Sequence, residues 1–145
     1  MTAPTAPLLY VTGASSGIGQ ALALHAYALG WRLCLVSRRA DTVHTWATQQ
    51  GLDPARHAIL AADVTDTDSI VVAGHTCLQT LGLPDVVAAC AGISHGIDTA
   101  ERADLDVMQR ILDTNVMGLA ATFHPFVAPM RAAGRGTLVD RKSVV

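Results

Sequence analysis

Eight residues, Thr12-Gly13-Ala14-Ser15-Ser16-Gly17-Ile18-Gly19, join a short apolar run, Leu8 to Val11, to a helical one that begins at Ile18. Their types and spacing are those of a phosphate cradle. Gly13 permits a tight turn off a strand, Gly17 lets the backbone come close to a pyrophosphate, and Gly19 lets a helix pack against a sheet. Unpaired N–H groups at the helix start then face the phosphates, where the helix dipole favours negative charge. A Gly-x3-Gly-x-Gly spacing also occurs in plain glycine turns, so its weight rests on agreeing features downstream.

Such a cradle needs a frame, and the rest of the chain alternates strand-like apolar runs with helical stretches, the pattern of βαβ units. Strands are expected at Leu8–Thr12, Arg32–Ser37, His57–Ala62, Asp85–Ala89 and from Gly136 to Val139. Helices are expected from Ile18 to Leu29, stopped by Gly30 at C′, and from an Asp41 N-cap to about Gln50. A third starts at Thr65 or Asp66, with Asp68 in its first turn, and ends near Leu81. Two more run from about Arg102 to Asp113 and from Val116 to Ala133, the latter bent by Pro125 and Pro129. Continuously apolar strands imply burial on both faces. The expected fold is α/β: a Rossmann-like doubly wound parallel sheet of about five strands with helices on both faces, incomplete at the C-terminus. Gly13, Ser37, Asp63 and Gly92 then all fall at the carboxyl ends of strands, where such sheets bind ligands.

Composition excludes several classes. A chain of 145 residues, half of them hydrophobic, buries one core, and a formal net charge of -2 leaves no basic face for nucleic acid or acidic lipid. Residues 1–7 read as a flexible lead rather than a secretory signal, and no apolar run reaches membrane-spanning length. Cys34, Cys77 and Cys90 lack metal or disulfide spacing, so a reducing, cytoplasmic setting is expected. His25, His44, His75 and His124 lack ligand spacing and read as helix-face residues. Asp98 to Asp106 reads as a solvated loop and helix start. Ser94 and His95 follow Gly92 and are placed either beside a substrate or merely in a polar loop.

TGASSGIG, Asp63-Val64 after the third strand, Ala91-Gly92 after the fourth, and Asn115-Val116 resemble the short-chain dehydrogenase/reductase family in order and spacing, over Leu8 to Val139. The resemblance implies that Gly13, Ser15, Ser16, Gly17, Gly19 and the Ile18 backbone hold a pyrophosphate. It further implies that Asp63 contacts adenine, that Val64 lines the adenine pocket, and that Ala91-Gly92 flank the nicotinamide ribose. The family's Asn-Asn-Ala-Gly is here Ala89-Cys90-Ala91-Gly92, without the amides that stiffen that turn. The choice of nicotinamide follows from the end of the second strand. A carboxylate there accepts from both ribose hydroxyls of NAD, whereas a 2′-phosphate needs donors or cations. Ser37-Arg38-Arg39, with no acid before Asp41, favours NADP(H) over NAD(H), with Ser15 and Ser37 as donors. The plain alternative is a pair of solvated loop arginines.

Family members exchange hydride between nicotinamide and an alcohol or carbonyl substrate, with a tyrosine as acid or base, a lysine four residues on, an orienting serine, and an asparagine in the proton relay. Asn115 matches that asparagine. No Tyr-x-x-x-Lys occurs, so the expectation is an NADP(H)-dependent oxidoreductase fragment that is inactive alone. The alternative is a non-catalytic NADP(H)-binding remnant or sensor domain.

Ser143 aligns with the family serine only if residues 140–145 are native. Asp140-Arg141-Lys142-Ser143-Val144-Val145 put three consecutive charges into a strand expected to be buried, and they hold the only lysine of the chain. The hexapeptide is also the conceptual translation of GAT CGG AAG AGC GTC GTG followed by the stop TAG, the start of a widely used short-read sequencing adapter. It is expected to be a non-native tail, leaving residues 8–139 as the dinucleotide-binding portion. Lacking later elements, the fifth strand becomes an open edge and the last helix loses partners, so aggregation is expected. Met108, Leu112 and Met117 are read as core, or as a homo-oligomer face.

Overall fold

The computed structural model describes residues 6–141. The apolar runs form five parallel strands: β1 (Leu8–Thr12), β2 (Arg32–Ser37), β3 (His57–Ala61), β4 (Val86–Ala89) and β5 (Thr137–Asp140). Their spatial order is β3-β2-β1-β4-β5. The helices are α1 (Gly17–Ala28), α2 (Ala40–Gln49), α3 (Thr67–Thr80), α4 (Arg102–Leu112) and α5 (Gly118–Ala133). The expected Rossmann-like α/β architecture is what the chain adopts.

The strand pleat sends alternate residues to two cores. On one face Tyr10, Cys34, Val36 and Val87 meet Ile70, Ala73 and Cys77 of α3 and Phe126 and Met130 of α5. On the other, Leu9, Val11, Leu33, Leu35 and Ala88 meet Ala23 and Ala26 of α1 and Val43 and Ala47 of α2. Tyr10 packs edge-on against Phe126 with ring centroids 4.8 Å apart. α5 runs through both Pro125 and Pro129. The Pro125 ring occupies the space that Gly74 leaves open on α3, where an added Cβ would lie 2.6 Å from Pro125 Cγ.

Several boundaries differ from the sequence reading. Asp41 does not cap α2; Arg39 is the N-cap residue and Asp41 lies in the first turn, where its charge still favours the dipole. β3 stops at Ala61, β4 starts at Val86, and β5 runs Thr137–Asp140. The two long helical stretches are joined by a π-helical turn, Asp113–Met117, with no break between them. β3 is only half-buried and β5 is largely exposed, because each is an edge of the described sheet. Asp140 therefore sits on an exposed edge strand, paired in register with Ala89. Lys142 and Ser143 lie outside the described residues. Met108, Leu112 and Met117 are 40–57% exposed, which excludes the core reading.

One residue ties the starts of three strands together. Asp85 Oδ2 accepts from Leu8 N–H at 2.9 Å, its Oδ1 pairs with Arg135 at 2.8 Å, and its carbonyl accepts from Thr137 N–H at 2.9 Å. The arginine pair is half exposed and contributes little. The carboxylate bond to a part-buried backbone N–H contributes more. Asp85→Ala is expected to lower stability by about 2 kcal/mol, read as a drop in the urea midpoint at constant slope; an unchanged midpoint would show the junction to be dispensable.

Candidate functional site

The carboxyl ends of β1 to β4 open into a cleft of about 730 Å³. It lies where the chain leaves β1 toward one face of the sheet and β4 toward the other, the crevice in which open α/β sheets bind ligands. The cleft brings together the glycine loop, the end of β2, the turn after β3 and the loop after β4, four segments far apart in sequence. Gly13, Ser15, Ser16, Gly17, Ile18 and Gly19 line one side. Ser37, Arg38 and Arg39 line the β2 corner, Asp63 and Val64 the β3 end, and Ala91 and Gly92 the β4 end.

The glycine loop is shaped by close approach. Gly13 has φ +69°, and a Cβ there would lie 2.7 Å from Ala91 N. A Cβ on Gly19 would overlap the Gly13 carbonyl. Ala14 N–H donates to Val36 O at 3.2 Å, and Thr12 Oγ1 accepts from Ala91 N–H at 3.4 Å, so the loop is fastened to β2 and β4. Gly17, at φ +54°, has nothing within 4 Å of its would-be Cβ and borders open cleft. The Ser16 side chain makes no cap bond to α1, and the first turn holds no acid. α3, by contrast, is capped by Asp66, which accepts from Ser69 N–H at 3.1 Å. The first N–H groups of α1 thus remain available to an anion, and this cradle fits a pyrophosphate.

At the β2 corner, Ser37 Oγ accepts from Arg39 N–H at 3.0 Å, and the Arg39 guanidinium donates to Ser15 Oγ at 3.0 Å. Arg38 lies 3.7 Å from Asp63. Partial burial opposes ionisation of Asp63, but the Thr65 N–H and hydroxyl, at 2.9 and 2.8 Å, and the Arg38 charge outweigh it and hold the carboxyl below its usual range. The β3 end of the cleft therefore carries a carboxylate at neutral pH.

Asn115 stands behind the β4 loop. The π turn aims its amide at Ile93: Oδ1 accepts from Ile93 N–H at 2.9 Å and Nδ2 donates to Ile93 O at 2.8 Å. This two-point clamp supplies stiffness that Ala89 and Cys90 lack. Cys90 lines the cleft; burial pushes its thiol up, against the charge of Arg141.

Arg110, Asp113 and Thr114 also line the cleft and escaped the sequence reading. Nothing in the sequence marks them, because only the fold turns that stretch of helix toward the cleft. Ser94 and His95 are exposed and do not line the cleft, and His25, His44, His75 and His124 are exposed on helices. Neither tyrosine is positioned for acid–base chemistry. Tyr10 is buried in the core, where desolvation raises its hydroxyl far above the usual range. Tyr27 accepts from Asp53 N–H at 2.8 Å beneath Arg56. No metal-binding group of side chains occurs among the described residues.

The family model of the short chain dehydrogenases matches residues 8–145. The NADPH-dependent pterin aldehyde reductase of Arabidopsis thaliana is 28% identical over 134 residues, 92% of this chain and 54% of the relative. The NAD(+)-linked 2-dehydro-3-deoxy-L-rhamnonate dehydrogenase of Sphingomonas sp. is 31% identical over 134 residues, 92% of this chain and 52% of the relative. A short-chain dehydrogenase structure from Streptomyces avermitilis superposes with a TM-score of 0.85 at 29% identity, over 94% of this chain and 49% of that one. The chain thus spans about half the length of these relatives. No helix among the described residues is long and apolar enough to cross a membrane.

Asn115→Ala is expected to remove both bonds to Ile93, lowering stability by about 2 kcal/mol and speeding hydrogen exchange at the Ile93 amide. Unchanged exchange there would mean that the loop stands without the clamp.

Proposed function

Since the chain belongs to the short-chain dehydrogenase/reductase family, we propose that its cleft binds NADP(H) in preference to NAD(H), and that it is the cofactor-binding portion of an alcohol dehydrogenase or carbonyl reductase. The observation that carries this reading is the β2 corner, where Arg38, Arg39 and Ser37 meet Ser15 at the cleft and the end of β2 itself contributes no carboxylate. A ribose 2′-phosphate finds donors and positive charge there, whereas the ribose diol of NAD finds no acceptor carboxylate. The exposed Arg38–Asp63 pair is weak, so Arg38 is released to an anion at little cost.

Residues 13–19 would hold the pyrophosphate on backbone N–H groups, Asp63 and Val64 the adenine, and Ala91 and Gly92 the nicotinamide ribose. When bound, the cofactor supplies the hydride. Asn115 keeps the β4 loop in place and would take the relay role that family membership implies. Proton transfer needs an acid at the substrate oxygen, and neither tyrosine among the described residues can serve, with Tyr10 in the core and Tyr27 engaged at Asp53. The chain alone is therefore catalytically silent. The reading of residues 140–145 as a non-native tail rests on their composition and their match to an adapter. The full-length enzyme would act on a small alcohol or carbonyl compound in the cytoplasm, as a homo-oligomer joined through the exposed apolar residues of α4.

NADPH is expected to bind at least about tenfold more tightly than NADH, a difference that disappears in the Arg38→Ala/Arg39→Ala double variant, read by fluorescence titration. Equal affinities in the unaltered chain would overturn the assignment. The 145-residue chain is expected to turn over no aldehyde with NADPH, while a chain extended along the genomic frame past a Tyr-x-x-x-Lys does. A locus that encodes residues 140–145 and then stops would leave only a binding module.

A further inference from the structure

We propose that Arg110 is a further specificity residue of the cleft, its planar guanidinium covering the adenine base from the α4 side. This rests on the reading of the cleft as a nicotinamide dinucleotide site. Arg110 lines the same cleft as Asp63, Val64 and Thr65. The helix that carries it is pinned there: a Cβ on Gly118, at the start of α5, would lie 2.9 Å from Val64 O, so α5 begins in contact with the turn after β3. From that contact the π turn and the end of α4 rise past the cleft, presenting Thr114 and Asp113 and then, one turn further, Arg110. Thr114 Oγ1 donates to Arg110 O at 2.9 Å, which fixes the two residues one above the other.

The guanidinium is left uncommitted by its neighbours. The two carboxylates within a turn of it on the same helix are engaged elsewhere, Asp106 by Arg102 at 2.9 Å and Asp113 by Gln109 Nε2 at 2.8 Å. Asp63 across the cleft lies 3.7 Å from Arg38 and forms no ion pair with Arg110. Arg110 is thus an exposed cation bordering the cleft and forming no ion pair with a carboxylate among the described residues. Arginine stacks on aromatic faces through a flat, weakly hydrated cation, which suits it to a purine. The 2′-phosphate, by contrast, belongs with Arg38, Arg39 and the serines at the opposite corner.

The test is calorimetric titration of the 145-residue chain with 5′-AMP, 2′,5′-ADP and nicotinamide mononucleotide, comparing the unaltered chain with Arg110→Ala and Arg110→Lys. Arg110→Ala is expected to weaken 5′-AMP and 2′,5′-ADP equally, by about fivefold, and to leave the mononucleotide unchanged. Arg110→Lys, which keeps the charge but not the plane, is expected to recover less than half of that loss on a logarithmic scale. Equal affinities in all three proteins would overturn the proposal, as would full recovery by lysine or a loss confined to 2′,5′-ADP, which would make Arg110 a phosphate ligand. If the unaltered chain, folded by circular dichroism, bound neither adenine nucleotide, the dinucleotide reading itself would fail, and the proposal with it.

Discussion

The cleft depends on a missing carbon atom. At Gly13 the turn leaving β1, the first turn of α1 and the end of β4 converge so closely that a side chain would collide with Ala91 N, while the Gly13 carbonyl fills the space beside Gly19. With that contact made, Ala14 reaches β2, Thr12 reaches Ala91, and α1 points its N–H groups outward along the cleft floor. The glycine loop and the β4 loop are therefore one packed unit in which neither can shift without the other.

The far end of the sheet is held by a different device. There Asp85 gathers β1, β4 and β5 by hydrogen bonds rather than by close backbone packing. The carboxyl ends of the strands are given over to loops, fastened to one another at Ala14 and Ala91, and polar groups of those loops face the cleft. The electrostatic balance is local: Arg38 against Asp63, Arg39 against Ser15, and an uncapped helix start between them.

Most of the frame was legible because its signals are local. Leu8–Thr12 and Arg32–Ser37 are read correctly to the residue, since continuous apolar runs bounded by glycine and charge leave few alternatives. Gly30 ends α1 and Asp66 caps α3 for equally local reasons. The misreadings share a non-local cause. Asp41 looked like a cap, yet the Arg39 N–H is already taken by Ser37 Oγ and the helix starts earlier. β3 read as a buried strand from apolarity alone, but exposure at an edge depends on which strands lie beside it, whereas β5 is the open edge expected. The residues aligned along the cleft from separate loops were found by pattern. Arg110, Asp113 and Thr114 were missed because no pattern marks a helix face that a fold happens to turn toward a ligand.

The π turn at Asp113–Met117 changes what α4 and α5 are to each other. An extra residue in one turn shifts the angular phase of everything beyond it by about 100°. A single unbroken rod therefore presents two unrelated faces along its length. Below the turn, Ala121, Phe126 and Met130 point into the sheet core; above it, Leu105, Met108 and Leu112 point outward while Arg110 stays with the cleft. Asn115 lies within that turn, so the inserted residue that sets the two faces apart also sets the amide that holds the backbone at Ile93.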